Sequence, residues 1–516
     1  MVTKKGIVGG SVADGGSDSI ICEVAAVQNF SFQESNSNSE AIAEAQQRFS
    51  TKSPLKTILQ MSIGPLLSEF LCAAYTFGDQ LYVSNQSQEQ LAGISSVGVL
   101  EEFAPAIGWL FVVGLTSQIS SYLASGQLLL AKYVIIWSLI ASIILTIVYS
   151  VTSLHYLQPI LSILGSVDNV AVEATKYITP RIQFAFIPVI SYTFTGVAMG
   201  LGQVKLYVIM TLIPFVISIC VLDPVFILVM KLGVRGASYS YLIGQSISAC
   251  IFIVYYAFFD KVCRPLAFIR KFVLPTTQRP PLRKQLLKEL WLTFSIGVSD
   301  FIGTLSSVFA TGVCYSKLSI LAQQLNLYTE ISALWGVSLR IFAIMNALTC
   351  GINAGSISCL SYAVSSQNKV RLFQITRLNF VICFILTLIF FIICELFGKY
   401  VFLLFGFNLN DEIISLGQYM LQMIMLGALV SSVNYCSTTL CQCYDLVFRG
   451  FLIAFFTQLI LLPGSFFAVY YLFSSEDLMG HLKVTFFAFP LNDVLGAVFG
   501  FFLVLKALKK IKKDAE

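Results

Sequence analysis

SICVLDPVFILVM, residues 218–230, carries a single charged group, Asp223, followed at once by Pro224. It sits in a longer apolar run, 206–230, closed by Lys205 and Lys231. A carboxylate there loses its hydration. A proline there removes a backbone donor and bends any helix it interrupts. The pair makes physical sense where the surrounding solvent is apolar and protein or trapped water shelters the charge.

Composition identifies that solvent. Of 516 residues, 57% are hydrophobic and 11% are charged, with a mean hydropathy of +0.81. Soluble domains carry about 25% charged residues, so this chain cannot cover several soluble surfaces. Lipid must solvate much of it. The net charge of +5 gives no reason to expect a nucleic-acid partner. The 13 cysteines show neither metal-ligand spacing nor a disulfide framework. Only His155 and His481 exist, with no nucleophile–base set around them, and no phosphate-binding loop follows a strand. An enzyme and an ATP-driven pump are both disfavoured, and no cofactor or metal is expected.

A membrane-crossing helix needs about 20 mostly apolar residues. Twelve stretches qualify: 56–83, 92–124, 129–151, 171–200, 205–230, 235–258, 287–315, 328–364, 372–397, 412–443, 450–472 and 484–508. The chain therefore reads as an all-α polytopic membrane protein. Its organisation is a tail (1–52) expected to be disordered and cytoplasmic, a six-helix bundle (53–260), a basic linker (261–286), a second six-helix bundle (287–508) and a short tail (509–516). Basic residues collect on the cytoplasmic side of membranes. With both termini inside, 24 Lys and Arg fall inside and seven outside, Arg181 and Lys176 among the seven, while Arg340 remains within the membrane. Asn85-Gln86-Ser87 is a glycosylation sequon so close to the membrane that it should go unused. The plasma membrane and an internal membrane are equally compatible.

The two halves echo each other. SYLASGQ (121–127) returns as SYAVSSQ (361–367), a shift of 240, and LDP (222–224) meets LPG (462–464) at the same shift. LSEFL (67–71) pairs with VSDFI (298–302), placing an acid, Glu69 or Asp300, in the opening helix of each half. Duplicated helix sets of this kind build transporters whose site lies between the halves near the bilayer midplane. The expected architecture is thus twelve helices in two repeats around a central cavity.

The chain resembles the multidrug and toxic compound extrusion (MATE) family over residues 55–508. The resemblance rests on Pro65 followed by YTFGD, with Tyr75 and Asp79; on LAGISS (91–96); on GLTSQISSYLASGQ (114–127); on VLDPVFILVMKLGVRGAS (221–238); and on GVSLRI (336–341). Ile219 stands where one branch of the family has asparagine, and Asp300 stands near where many relatives have a glutamate. The resemblance implies an antiporter that exports organic cations or other amphipathic compounds in exchange for H+ or Na+, acting as a monomer in contact with membrane lipid. It implies a cation- or proton-binding role for Asp79, Asp223 and Tyr75, and helix bends at Pro65 and Pro224. The residues add Glu69, Asp300, Glu102 and Arg340 as candidates for the substrate cavity. Glu101 and Glu102 are adjacent, so only one of them can face it. Each acid also has a structural reading: Asp79 and Asp223 could reach water, and Glu69 or Asp300 could pair with Arg340. A flippase for lipid-linked saccharides on a related scaffold is the alternative function, disfavoured by the acidic character of the membrane charges.

Overall fold

The computed structural model describes residues 42–44, 46–84, 97–163, 168–259, 283–404, 411–444, 446–473 and 477–515. Asn85, the stretch 91–96, most of the tail and most of the basic linker lie outside them. The side chains of Tyr75 and Asp79 do too, although the backbone there is helical.

The first half contains α1 (Pro54–Ser84), α2 (Gly98–Ser125), α3 (Leu128–His155), α4, α5 (Val204–Val229) and α6 (Val234–Val254). Helix α4 is a pair, Ala171–Gln183 and Phe186–Gly200, bent by 51° at its break. The second half contains α7 (Arg283–Gln324), α8 (Tyr328–Ser365), α9 (Lys369–Leu404) and α10 (Asp411–Cys443). It closes with α11 (Val447–Leu472) and α12 (Leu478–Lys513). Among the described residues ten helices are long and apolar enough to cross a membrane, or eleven if the bent pair counts as one span. Helix α1, at 31 residues, has the length of a further span. Many large apolar side chains, Ile144, Val151, Phe384 and Ile393 among them, point away from the protein, as lipid-facing positions do.

The repeat is visible in the backbone. Helix α5 widens into π-helical segments at Val216–Leu222 and Pro224–Val229, on either side of Asp223. Helix α11 widens at Phe456–Leu461, so the two regions begin 240 residues apart. Proline explains part of this. Pro224 and Pro463 have no N–H to give, and a register one residue wider absorbs the missing bond. Helices α2 and α8 also end 240 residues apart, at Ser125 and Ser365.

The halves meet chiefly along two helix pairs, α1 with α8 and α2 with α7, and α2 also packs on α8. Glycines make both contacts close. A Cβ on Gly297 would lie 1.8 Å from the Leu110 carbonyl oxygen, and one on Gly114 would lie 2.2 Å from that of Thr293. On the other pair, Gly351 and Gly355 leave room for Leu66 and Ser62. The Ser117 and Ser361 hydroxyls meet across the same seam at 2.9 Å. All these contacts lie toward the end of the bundle that carries residue 54 and the last turn of α12. We call this the closed end.

Three boundaries differ from the sequence reading. Helix is present at residues 42–44 and 46–49, inside the expected tail, and Phe49 is 1% exposed and packed in the core. Helix α7 starts at Arg283, inside the expected linker. The final helix runs on to Ala515, with Ile511 buried at 2% exposure. Each extension places an apolar or hydrogen-bonding side chain against the bundle, which hydropathy over a 20-residue span does not register.

Candidate functional site: an acidic cleft and a buried aspartate

Just beyond the close-packed seam the charges gather. Glu69 on α1 and Asp300 on α7 both lie in electrostatic reach of Cys350 on α8, so the opening helices of the two halves face one space. Glu102 on α2 is the charged neighbour of Glu69. Asp493 on α12 and Asp300 both reach Tyr435 on α10. Solvent touches Glu69, Glu102, Asp300 and Asp493 to differing degrees, although protein surrounds them all. That combination describes a cleft rather than an outer surface. Phe103 of α2 meets Phe301 of α7 edge to face, 5.8 Å apart, beside it.

Glu101 and Glu102 divide their work as adjacency requires. Glu102 faces Glu69. Glu101 turns the other way and forms an ion pair with Arg181, which is 8% exposed. The Tyr177 hydroxyl donates to the same Glu101 oxygen at 2.8 Å. The Arg181 guanidinium also lies over two rings, 4.3 Å from the centroid of Tyr177 and 4.6 Å from that of Tyr241. Arg181 was expected in an outer segment. It is instead a buried residue of α4, because a carboxylate and two aromatic faces compensate its charge.

Asp223 lies fully buried within the first half. Among the described residues neither carboxylate oxygen has a hydrogen-bond partner at full geometry. Ser240 on α6 and the charge of Arg181 are the groups that act on it. The Ser240 hydroxyl is committed elsewhere: it donates to the Ser218 carbonyl at 3.2 Å, while the Ser218 hydroxyl returns a bond to the Ser240 carbonyl at 3.0 Å. Gly244 allows this approach, since a Cβ there would lie 2.3 Å from the Ser218 hydroxyl. The α5–α6 contact therefore holds the Ser240 hydroxyl to the neighbouring backbone, so that Ser240 bears on the Asp223 carboxylate without a full hydrogen-bond geometry.

Between α1, α4, α5 and α6, and lined by Ser218 but not by Asp223, is a cavity of about 90 Å³. Ser68, Cys72, Tyr192, Tyr207, Tyr241 and Gln245 are among its lining residues. Two of the tyrosines lie flat over helices at glycines: a Cβ on Gly108 would meet the Tyr192 ring at 2.7 Å, and one on Gly64 would meet the Tyr207 ring at 2.7 Å. Pro65 lines a smaller neighbouring void with Tyr207 and Met61. In the second half Gln442 on α10 donates to both Ser299 and Asp300. Asn492 donates to Asp493 at 3.0 Å. Arg340 is exposed on α8.

The structure thus places Glu69, Glu102 and Asp300 in one electrostatic neighbourhood and buries Asp223 apart from them within the first half. Tyr177, Tyr241, Tyr192, Tyr435 and Gln442 escaped the sequence reading. Tyr and Gln in apolar helices are common, and only pairing across helices marks these. Among the described residues no cluster of three or more His, Cys, Asp or Glu could hold a metal ion.

Comparison with known proteins agrees with this geometry. The MatE family model matches residues 65–224 and 329–467, once in each half and together over more than half of the chain. A curated relative, the multidrug export protein MepA of Staphylococcus haemolyticus, is 22% identical over 397 residues, 76% of this chain and 82% of its own length. Among solved structures, an outward-facing multidrug resistance MATE transporter of the MOP superfamily superposes with a TM-score of 0.78 at 19% identity, covering 90% of this chain and 97% of its own. A MOP-superfamily transporter from Pyrococcus furiosus, described as having a binding pocket of reverse polarity, has a TM-score of 0.78 at 20% identity over 91% of this chain and 98% of its own. At such identities the structural likeness establishes the fold.

Proposed function

Because the chain belongs to the MatE family of membrane transporters, we propose that it is a secondary active antiporter that exports organic cations or other amphipathic compounds in exchange for H+ or Na+. It is a multi-pass membrane transporter and not an enzyme. The observation that carries the finer reading is the distribution of carboxylates. Four of them, Glu69, Glu102, Asp300 and Asp493, are linked through shared neighbours between two pseudo-equivalent halves, and a fifth, Asp223, is buried with no fully formed hydrogen bond among the described residues.

Each feature has a task in such a cycle. An uncompensated carboxylate in an apolar site is costly, and a bound proton or small cation relieves that cost. Asp223 therefore offers a place for the coupling ion. The cleft acids offer a place for a cationic substrate, with Phe103, Phe301 and Tyr435 supplying apolar and aromatic surface. The ion and the substrate drive exchange only if each favours a different arrangement of the halves. The two wide-turn regions in α5 and α11 are positions where helices are already irregular and can bend at little further cost. Both termini on the cytoplasmic side would make the closed end the inner one, so that the cleft faces outward.

The test is reconstitution in liposomes with ethidium as the organic cation and either a proton or a sodium gradient imposed. Ethidium should move against one of these ions. Movement equal to that of protein-free vesicles under both gradients would refute the reading. The saccharide flippase remains unfavoured, because a pyrophosphate would meet four carboxylates.

A further inference from the structure

Residues 42–52 lie across the closed end and touch both halves. On the first half, the Arg48 guanidinium donates to the Leu201 carbonyl at 2.9 Å, in the turn between α4 and α5. The Phe49 ring covers Gly202 in that turn, where a Cβ would lie 2.9 Å from it. Ile42 sits beside Gly126, after the last turn of α2. On the second half, the Phe49 ring stacks on Tyr362 near the end of α8, with centroids 4.9 Å apart and planes inclined by 22°. Arg371, in the first turns of α9 and 8% exposed, donates to the carbonyls of Ser50 at 3.0 Å and Lys52 at 2.9 Å. It also donates to the Thr57 hydroxyl at 2.9 Å.

The repeat supplies a counterpart. A shift of 240 carries Tyr122 of α2 onto Tyr362 of α8. The Tyr122 hydroxyl donates to Glu289 at 2.8 Å, and Gln118 donates to the Glu289 carbonyl at 2.9 Å. Each half thus closes the seam with the tyrosine near the end of its second helix, held by the segment that leads into the other half's first helix or lies within it. In the second half that segment is the opening turns of α7. In the first half it is the strap before α1.

We propose that residues 42–52 are a latch that holds the closed end shut, with Phe49 and Arg371 as its anchors. Its partners belong to different halves, so any motion that parts the halves at this end must break one set of contacts. The Arg371 bonds to backbone carbonyls are charge-assisted, and the Phe49 ring leaves a wholly buried site. Both losses fall on the parted state alone. The latch therefore biases the two-state equilibrium of the transporter without touching substrate or ion. The inference rests on the antiporter reading only in assuming that the halves part at this end at some stage.

The experiment measures the distance across the closed end by pulsed electron paramagnetic resonance. Non-cysteine spin labels go at Ser125 and Gln367, in the full chain in lipid nanodiscs. Both positions are exposed, one on each half. The wild type should give a dominant short distance. Phe49→Ala and Arg371→Gln should each raise the population at longer distance about tenfold. Arg371→Lys should recover only part of it, because one ammonium cannot reach the Ser50 and Lys52 carbonyls and Thr57 with the same fork. If Arg371→Gln does not fold, Arg48→Gln, which removes the Leu201 contact together with the Glu44 ion pair inside the strap, reads the same quantity. Identical distance distributions in the wild type and in every folded variant would overturn the latch. No gradient or substrate is present, so an inactive transporter with a shifted distribution would sink the transport reading and leave the latch standing.

Discussion

Arg181 and Glu101 form an ion pair inside the first bundle, with the guanidinium laid over the rings of Tyr177 and Tyr241. The pair ties the bent helix α4 to the start of α2 and places a fixed positive charge within reach of Asp223. Removing one partner leaves the other charge in a poorly hydrated site. Arg181→Gln should cost about 2–3 kcal/mol, at or below the low end for a buried pair because Glu101 keeps some access to water. Glu101→Gln should cost less, since Arg181 keeps both aromatic faces. The double variant should be more stable than the sum of the two losses implies. A double-mutant cycle of thermal unfolding in detergent measures this; strictly additive losses would show that the pair contributes nothing.

The glycines at the seam give a contrast that is independent of any transport assay. At Gly297 a Cβ would collide with the Leu110 backbone, and at Gly351 with that of Leu66. Backbone cannot step aside as a side chain does. Gly297→Ala and Gly351→Ala should each cost about 1–3 kcal/mol, or part the halves at the closed end. Gly312, Gly336 and Gly464 have nothing within 4 Å of an added Cβ. Alanine there should be neutral or stabilising by up to about 1 kcal/mol, because it reduces the freedom of the unfolded helix. Equal effects at both sets of positions would contradict the packing described.

Access to the cleft can be read at Cys72, which is exposed and lies in the field of both Glu69 and Glu102. A membrane-impermeant cationic methanethiosulfonate should modify Cys72 from one side of the membrane, and a bound organic cation should slow that reaction. Cys359, Cys436 and Cys441 are buried and should stay unmodified, as peptide mapping by mass spectrometry can establish. Protection of Cys72 by neutral and cationic compounds alike would argue against a charge-selective cleft.

Glu69→Gln and Asp300→Asn should each weaken binding of a cationic substrate about tenfold, the loss expected on removing one charged contact. Binding of a neutral amphipathic compound should change little. Fluorescence titration in nanodiscs compares the two ligands directly. The two substitutions should combine multiplicatively unless one substrate cation touches both carboxylates.

Much of this was legible in residue order. The shift of 240 between SYLASGQ and SYAVSSQ survives as helices ending at equivalent residues. It survives again as wide-turn segments that begin 240 residues apart. Adjacency alone foretold that Glu101 and Glu102 must part company. Arg181 was misplaced because charge in a sequence reads as hydration, whereas a carboxylate and a ring from other helices, with a second ring one turn away on its own helix, replace water here. The lack of a fully formed hydrogen bond to Asp223 among the described residues was illegible for a related reason. Ser218 and Ser240 are suitable partners by type, and only their reciprocal bonds to each other's backbone show that they are taken. The strap at 42–52 reads as polar tail until Phe49 and Arg371 are seen on opposite sides of one seam.

The central claim is that Asp223, buried within the first half with no fully formed hydrogen bond among the described residues, couples an ion to substrate movement. Its most direct test sets the wild type beside Asp223→Asn in liposomes, with ethidium movement followed under the gradient that drives the wild type. The account predicts that Asp223→Asn, with an unfolding temperature close to that of the wild type, transports at least about tenfold more slowly. Ethidium movement by Asp223→Asn at the wild-type rate, still dependent on the same gradient, would contradict it.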